Sequence, residues 1–271
     1  LGSTSDPFWR SKVVQQSTNA PDVSLPVAWV IGGTRGIGAA VVEHLARDGW
    51  TVVASGRGEA ALERTHEGRW WRPVDIRDGA AVEGAAAELA QRLGRLDAAI
   101  VSVREQGEGS FSSLTDEAWQ SALDTKLIGF VRVARSVLPH LEASSGVLVS
   151  LVGAAATVAS ASHPLGCVNA ALRHVVRGLA MEWGPRGVRI VGESPGPTRT
   201  DTRVAMIEDL ARRRGVSPDA VEEEFARATY RGRMLHTSEV AELVGLLLVE
   251  RSASLNGTVV QADDGSIGGG L

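Results

Sequence analysis

Val27-Ala28-Trp29-Val30-Ile31-Gly32-Gly33-Thr34-Arg35-Gly36-Ile37-Gly38 decides the fold. Five apolar residues read as a strand, the glycines as a tight turn, and Gly36 onward as the opening of a helix. Gly32 permits the sharp exit from the strand, Gly36 lets backbone approach a diphosphate, and Gly38 lets the helix lie close to the sheet. A diphosphate bound there meets free backbone N–H groups and the positive end of the helix dipole. Thr34 and Ile37 fill the turn between the glycines and belong to the same predicted site. Three glycines alone are weak evidence; their place at the first strand–helix junction makes them specific.

Outward from that junction the pattern repeats. Apolar runs recur at 27–31, 51–54, 97–101, 147–152, 188–191 and 258–260, with helical periodicity at about 36–48, 78–94, 116–142, 164–183 and 238–249. Near-continuous apolar strands separated by amphipathic helices predict a parallel sheet covered on both faces. The expected fold is therefore α/β: a Rossmann-type doubly wound sheet in a single domain over 27–271. Residues 1–26 are polar and aperiodic and read as an N-terminal extension without a secretion signal. Phe8 and Trp9 could tack it onto the body. Residues 201–235 interrupt the alternation with two short helices, around 202–213 and 217–229. They follow a strand end, where open α/β sheets place ligands, and read as a lid or, alternatively, as a solvated excursion.

Composition narrows the classes. The 271 residues are 44% hydrophobic and carry a formal net charge of −4, with pI near 5.9. Neither nucleic acid nor an anionic membrane is an expected partner, and no apolar stretch is long enough to span a bilayer. Cys167 is the only cysteine, so no disulfide framework or cysteine metal site is expected, and a reducing cytoplasm is the expected compartment. Only Lys12 and Lys126 are lysines.

The spacing Gly32-x-x-x-Gly36-x-Gly38 resembles that of the short-chain dehydrogenase/reductase family. The resemblance continues in Val74-Asp75-Ile76-Arg77-Asp78, in Leu96-Asp97, in Pro195-Gly196-Pro197-Thr198 and in the closing Gly257–Gly265 stretch. It implies that Asp75 and Ile76 meet an adenine and that Pro195, Gly196, Thr198 and Thr200 border a nicotinamide. Ser102 joins the cofactor site from the segment after the fourth strand. Cofactor choice follows from charge. The second strand ends in Ser55-Gly56-Arg57, without the carboxylate that would hold a ribose 2′-hydroxyl, and Arg35 lies in the glycine turn. Two guanidiniums converging on a 2′-phosphate predict NADP(H).

The resemblance also implies a Ser, Tyr, Lys and Asn for acid–base chemistry, and this sequence lacks them. Gly153 stands at the place of the Ser, Leu165 and Asn169 at those of the Tyr and Lys, and Lys126 at that of the Asn. Val101-Ser102-Val103-Arg104 replaces the family's Asn-Asn-Ala-Gly, and the only tyrosine is Tyr230. Substitutes exist nearby: Ser150, Ser160, Ser162, His163, Glu193 and Ser194, of which His163 could donate a proton or could simply open a helix. No catalytic side chain and no metal ligand is therefore assigned. Gly153 and Leu165 are expected to make room for, and contact, a bulky flat substrate. The pattern resembles atypical ketoreductases of angucyclinone-type antibiotic pathways, which implies an aromatic polyketide-type ketone whose own phenol supplies the missing stabilisation. The rival reading is a non-catalytic NADP(H)-binding protein or an inactive subunit. The family resemblance further implies a homo-oligomer, paired through the helices predicted at 116–142 and 164–183.

Overall fold

The computed structural model describes residues 25–58, 62–64, 69–104, 109–157 and 165–266. The N-terminal extension with Phe8 and Trp9 falls outside these, as do Ser160, Ser162 and His163. One eight-stranded sheet runs through the described residues in the order β3-β4-β2-β1-β5-β6-β7-β8. Its strands are β1 (Val27–Ile31), β2 (Thr51–Ser55), β3 (Glu63–Arg64), β4 (Trp70–Trp71), β5 (Ala98–Val101), β6 (Val147–Leu151), β7 (Arg189–Pro195) and β8 (Val259–Ala262). Only β3, at the edge, runs antiparallel, pairing Glu63 with Trp71. The short β3–β4 hairpin was not anticipated by the apolar pattern, because two-residue strands carry no periodicity.

The central strands are buried on both faces; every residue of β1 and β6 is buried. Alternation sorts their side chains into two cores. One, with Trp29, Ile31, Val101 and Leu148, packs on helices α2 (Gly79–Leu93), α4 (Gly129–Ser144) and α5 (Gly166–Trp183). The other, with Ala28, Val30, Val149 and Val191, packs on α1 (Gly36–Arg47) and α8 (Thr237–Leu248). Burying a Val or Leu side chain contributes about 1.5–3 kcal/mol, so these two layers fix the register. The polar atoms inside are matched where the chain crosses: the Trp29 indole N–H donates to Ser55 Oγ at 2.7 Å.

The helix expected over 116–142 is not continuous. It divides into α3 (Asp116–Ala122), a π-helical turn over Leu123–Ile128, and α4. Such turns absorb an extra residue and leave the flanking apolar stripe intact, which is why periodicity could not reveal this one. The segment over 201–235 does form two helices, α6 (Asp201–Arg214) and α7 (Pro218–Arg227). Thr200 caps α6 by accepting from Arg203 N, and Ser217 caps α7 by accepting from Ala220 N. Between them Gly215 takes φ +68°. Ile207, Ala211, Val221 and Met234 give the pair its own apolar cluster.

Candidate active site

Backbone builds the first part of the site. Gly32 leaves β1 at φ +82°, and Gly32 N and Gly33 N both donate to Ser55 O at 2.9 Å. The Ser102 carbonyl lies so close to Gly32 that a Cβ there would collide with it. Gly36 turns at φ +55°, and the Gly32 carbonyl occupies the space a side chain on Gly38 would need. The result is a concave turn whose first helical N–H groups have no side-chain cap, since Arg35 at the N-cap makes none. A dinucleotide diphosphate would fit such a turn through its free N–H groups, and Gly32 and Gly38 hold the turn's shape because a β-carbon at either would collide with neighbouring backbone.

The second part is electrostatic. A methyl at Gly56 would lie 2.8 Å from Thr34 Cγ2, so the glycine turn and the end of β2 touch. Arg35 and Arg57, each one residue beyond that contact, are exposed, and neither forms an ion pair among the described residues. Asp75 lies close enough to Arg57 to feel its charge. Its carboxyl is held below the ordinary range mainly by hydrogen bonds from Arg77, at 2.6 and 3.0 Å, with Arg57 adding to the effect. Ile76 points elsewhere: its side chain is buried in the core, and a methyl at Gly129 would lie 2.9 Å from its Cγ1. Only the backbone of Ile76 is left to face an adenine. Ile37 is partly buried against the α1–α8 core.

The third part closes the cradle from the other side. After β7 the chain turns at Pro195-Gly196, where Gly196 N donates to Ala262 O at 3.1 Å. The buried Thr198 hydroxyl donates to Gly196 O at 2.9 Å. Thr200 then starts α6 against the glycine turn, its Cγ2 3.4 Å from where a methyl on Gly36 would sit. The structure thus brings Gly32, Thr34, Gly36, Gly38, Ser102 and Thr200 into one cluster, with Arg35 and Arg57 on its rim.

The strip where acid–base groups were sought is differently made. Gly153 follows β6 at φ +96°, and the Asn169 amide on α5 lies 3.6 Å from the position of its missing Cβ. Asn169 and Lys126 are both buried, Lys126 within the π-helical turn. Leu165 corrects an expectation. It is fully buried with Ala122 and Val168, against Leu114, Trp119 and Leu127, where α3 packs on α5. It therefore shapes that seam rather than offering an open wall. Tyr230 is exposed just after α7, held by a bond from its N to Asp264 O at 2.8 Å.

Three further polar side chains end the strands beneath the site. Ser150 and Ser194 are buried on the α5 side of the sheet, and among the described residues their hydroxyls have no hydrogen-bond partner. Glu193, on the α1–α8 side, pairs in register with Leu151 and Val260. It is fully buried, among the described residues both carboxyl oxygens are unpartnered, and burial pushes its carboxyl well above the ordinary range. Sequence reasoning found these three but missed the contact of Thr200 with Gly36, which only the return of the chain could reveal.

Comparison with known proteins agrees with this geometry. The family model described as enoyl-(acyl carrier protein) reductase matches residues 32–266. The short-chain reductase protein NovJ of Streptomyces niveus is 30% identical over 88% of this chain and 93% of its own. A protein of Streptomyces virginiae, provisionally named a ketoacyl reductase of the monensin polyketide synthase, is 29% identical over 84% and 92%. Among solved structures, a variant of the actinorhodin polyketide ketoreductase with NADPH superposes with a TM-score of 0.81 at 23% identity, over 91% of this chain and 99% of that one. With the glycine turn, strand order and Pro-Gly turn all in place, the chain belongs to the short-chain dehydrogenase/reductase family.

Proposed function

We propose that this chain is an NADP(H)-dependent ketoreductase acting on a bulky aromatic, polyketide-type ketone. One observation carries the reading: an intact dinucleotide cradle with two unpaired guanidiniums on its rim stands beside a strip in which Gly153, Leu165, Asn169 and Lys126 replace the acid–base set. NADPH, when bound, supplies a hydride. This chain's residues do the rest. Gly32, Gly36 and Gly38 admit the diphosphate, Arg35 and Arg57 grip the 2′-phosphate, and the Pro195–Thr200 segment orients the nicotinamide end. Asp75, the Ile76 backbone and Ser102 border the adenine half. The helices α6 and α7 close over the substrate and exclude water.

No side chain of the strip is assigned the proton. Loss of a general acid costs about 10² to 10⁴ in rate, and a phenol beside the reacting carbonyl can restore it, because intramolecular groups reach effective molarities of about 10⁵ to 10⁸ M. The substrate's own phenol thus replaces the tyrosine. Streptomyces relatives named as reductases support an antibiotic or polyketide setting. Met181 on α5 and Ile128 before α4 expose apolar side chains, which supports pairing of two copies through these helices. Among the described residues no helix is long and apolar enough to cross a membrane.

The test is NADPH oxidation screened against hydroxylated anthraquinone- and angucyclinone-type ketones. The phenolic ketone is expected to turn over, and its methyl ether is expected to bind without turnover. If no ketone oxidises NADPH although the cofactor binds, the wholesale loss of the acid–base set favours the second reading, a non-catalytic NADP(H)-binding protein.

A further inference from the structure

The turn that follows β6 has little internal bonding of its own. Gly153 opens it at φ +96°, with no side chain to wedge it in place. Ala154–Ala156 form a single 3-10 turn, in which Ala156 N donates to Gly153 O and Thr157 N to Ala154 O, both at 3.1 Å. Two hydrogen bonds of that kind beside a glycine do not fix a conformation. The shape of this turn is imposed from outside.

Helix α5 imposes it along one face. Residues 166, 169 and 173 are spaced by three and four, so they share a side of the helix, and each meets the turn. Gly166 lies against the Ala155 carbonyl, whose oxygen is 2.6 Å from where a Cβ would be. The Asn169 amide faces Gly153. One helical turn further on, the Arg173 guanidinium donates to Thr157 Oγ1 at 2.6 Å. The helix is itself tethered, because Leu165 and Val168 are buried with Ala122 of α3. Just before the turn, Val152 N donates to Glu193 O at 2.7 Å and ties the chain to β7. The turn is thus held at its start by a strand, in its middle by close backbone approach, and at its end by a pair of side chains. Only the last hold can be removed without disturbing backbone.

We propose that Arg173 is a positioning residue: through Thr157 it staples the turn over 153–157 to α5 and so sets the shape of the wall on which a flat substrate lies. It acts on the site only through Thr157. The inference rests on the ketoreductase reading above for the identity of the ligand, and on the printed geometry of α5 and the turn for the staple itself. An arginine suits the task, since its planar fork is pre-organised and loses less freedom per bond than a lysine. A single hydrogen bond has a modest net worth, so the staple tunes substrate affinity and leaves the fold standing.

Calorimetric titration of the full chain, loaded with NADP⁺ so that no hydride can move, tests it with 1-hydroxyanthraquinone as the probe. Arg173→Ala and Thr157→Val should each weaken the probe by about three- to tenfold, the loss of one hydrogen bond. The double variant should be no weaker than either single one, because both remove the same bond. Thr157→Ser keeps the hydroxyl and should bind as the wild type does. Amide hydrogen exchange at Ala156 and Thr157 should quicken in Arg173→Ala and Thr157→Val, while NADPH affinity and melting temperature hold. Unchanged probe affinity in both single variants, or losses that add in the double variant, overturns the proposal. So does a loss that spreads to NADPH affinity and melting temperature, which marks a structural role. If the wild type binds no hydroxyanthraquinone, the aromatic-ketone reading falls, and exchange alone decides the staple: quickening confined to the turn upholds it, and unchanged exchange overturns it.

Discussion

The glycine turn and the strip from Gly153 to Asn169 lie at the carboxyl ends of one sheet, yet they are made of different material. The turn is backbone: its function is set by carbonyls that crowd Gly32 and Gly38 and by helix N–H groups left uncapped. The strip is side chains on a scaffold that tolerates exchange, here Asn169, Lys126 and Leu165, all buried. A backbone site cannot change without refolding the turn. A side-chain site can be replaced while every strand keeps its register. Under the ketoreductase reading, chemistry departs from such a fold while a cofactor cradle stays.

The largest expected effect breaks the cradle. Gly32→Ala forces a side chain into the left-handed region, a strain of about 1–3 kcal/mol, and drives its Cβ into the Ser102 carbonyl. Loss of NADPH binding in a fluorescence titration and a melting temperature lower by several degrees are expected; wild-type affinity would show that the turn is not the cradle. Next comes the rim. Replacing Arg35 and Arg57 together by Ala should weaken NADPH by several kcal/mol, at about 1.5–3 per charge-assisted bond, and leave NADH nearly unchanged. Equal losses for the two cofactors would remove the 2′-phosphate assignment.

A smaller effect sharpens the comparison from beneath the site. Glu193 is pushed up in the folded protein by burial, so the native state holds a proton that the unfolded chain releases above about pH 4.3. Stability is therefore lost as pH rises from that value towards the folded one. Glu193→Gln should gain on the wild type by about 1.4 kcal/mol per pH unit across that window. Denaturant melts at several pH values measure it, and a difference independent of pH would contradict a neutral buried acid. The smallest effect concerns the strip itself. Asn169→Ala, Lys126→Met or Tyr230→Phe should each lower kcat less than about tenfold, well short of the loss expected for a true acid. A single variant falling a hundredfold, with the methyl ether still reduced, would reveal a protein acid in the strip.

The sequence was most legible where physics is local and repetitive. Continuous apolar runs gave the central strands, because a strand covered on both faces needs no alternation. The glycine spacing gave the cradle, because few side chains could occupy it. The two helices of 201–235 were legible from composition and periodicity, whereas their caps, Thr200 and Ser217, became plain only in the structure. The π-helical turn at Leu123–Ile128 stayed hidden because one extra residue barely moves an apolar stripe. Leu165 was read as a wall because its neighbour in space, Ala122, is 43 positions away in the chain.

The small apolar cluster shared by α6 and α7 has an evolutionary consequence. Because Ile207, Ala211, Val221 and Met234 pack on each other, the segment carries much of its own folding information and joins the body chiefly at its ends, at Thr200 and around Arg231 with Glu239 and Asp264. A unit of that kind can be exchanged as a cassette. Substrate range within a lineage could then diversify by recombination at two short seams, while the sheet and the glycine turn are inherited unchanged. A chimera carrying a relative's lid between residues 200 and 235 should fold, keep its cofactor and change its preferred ketone.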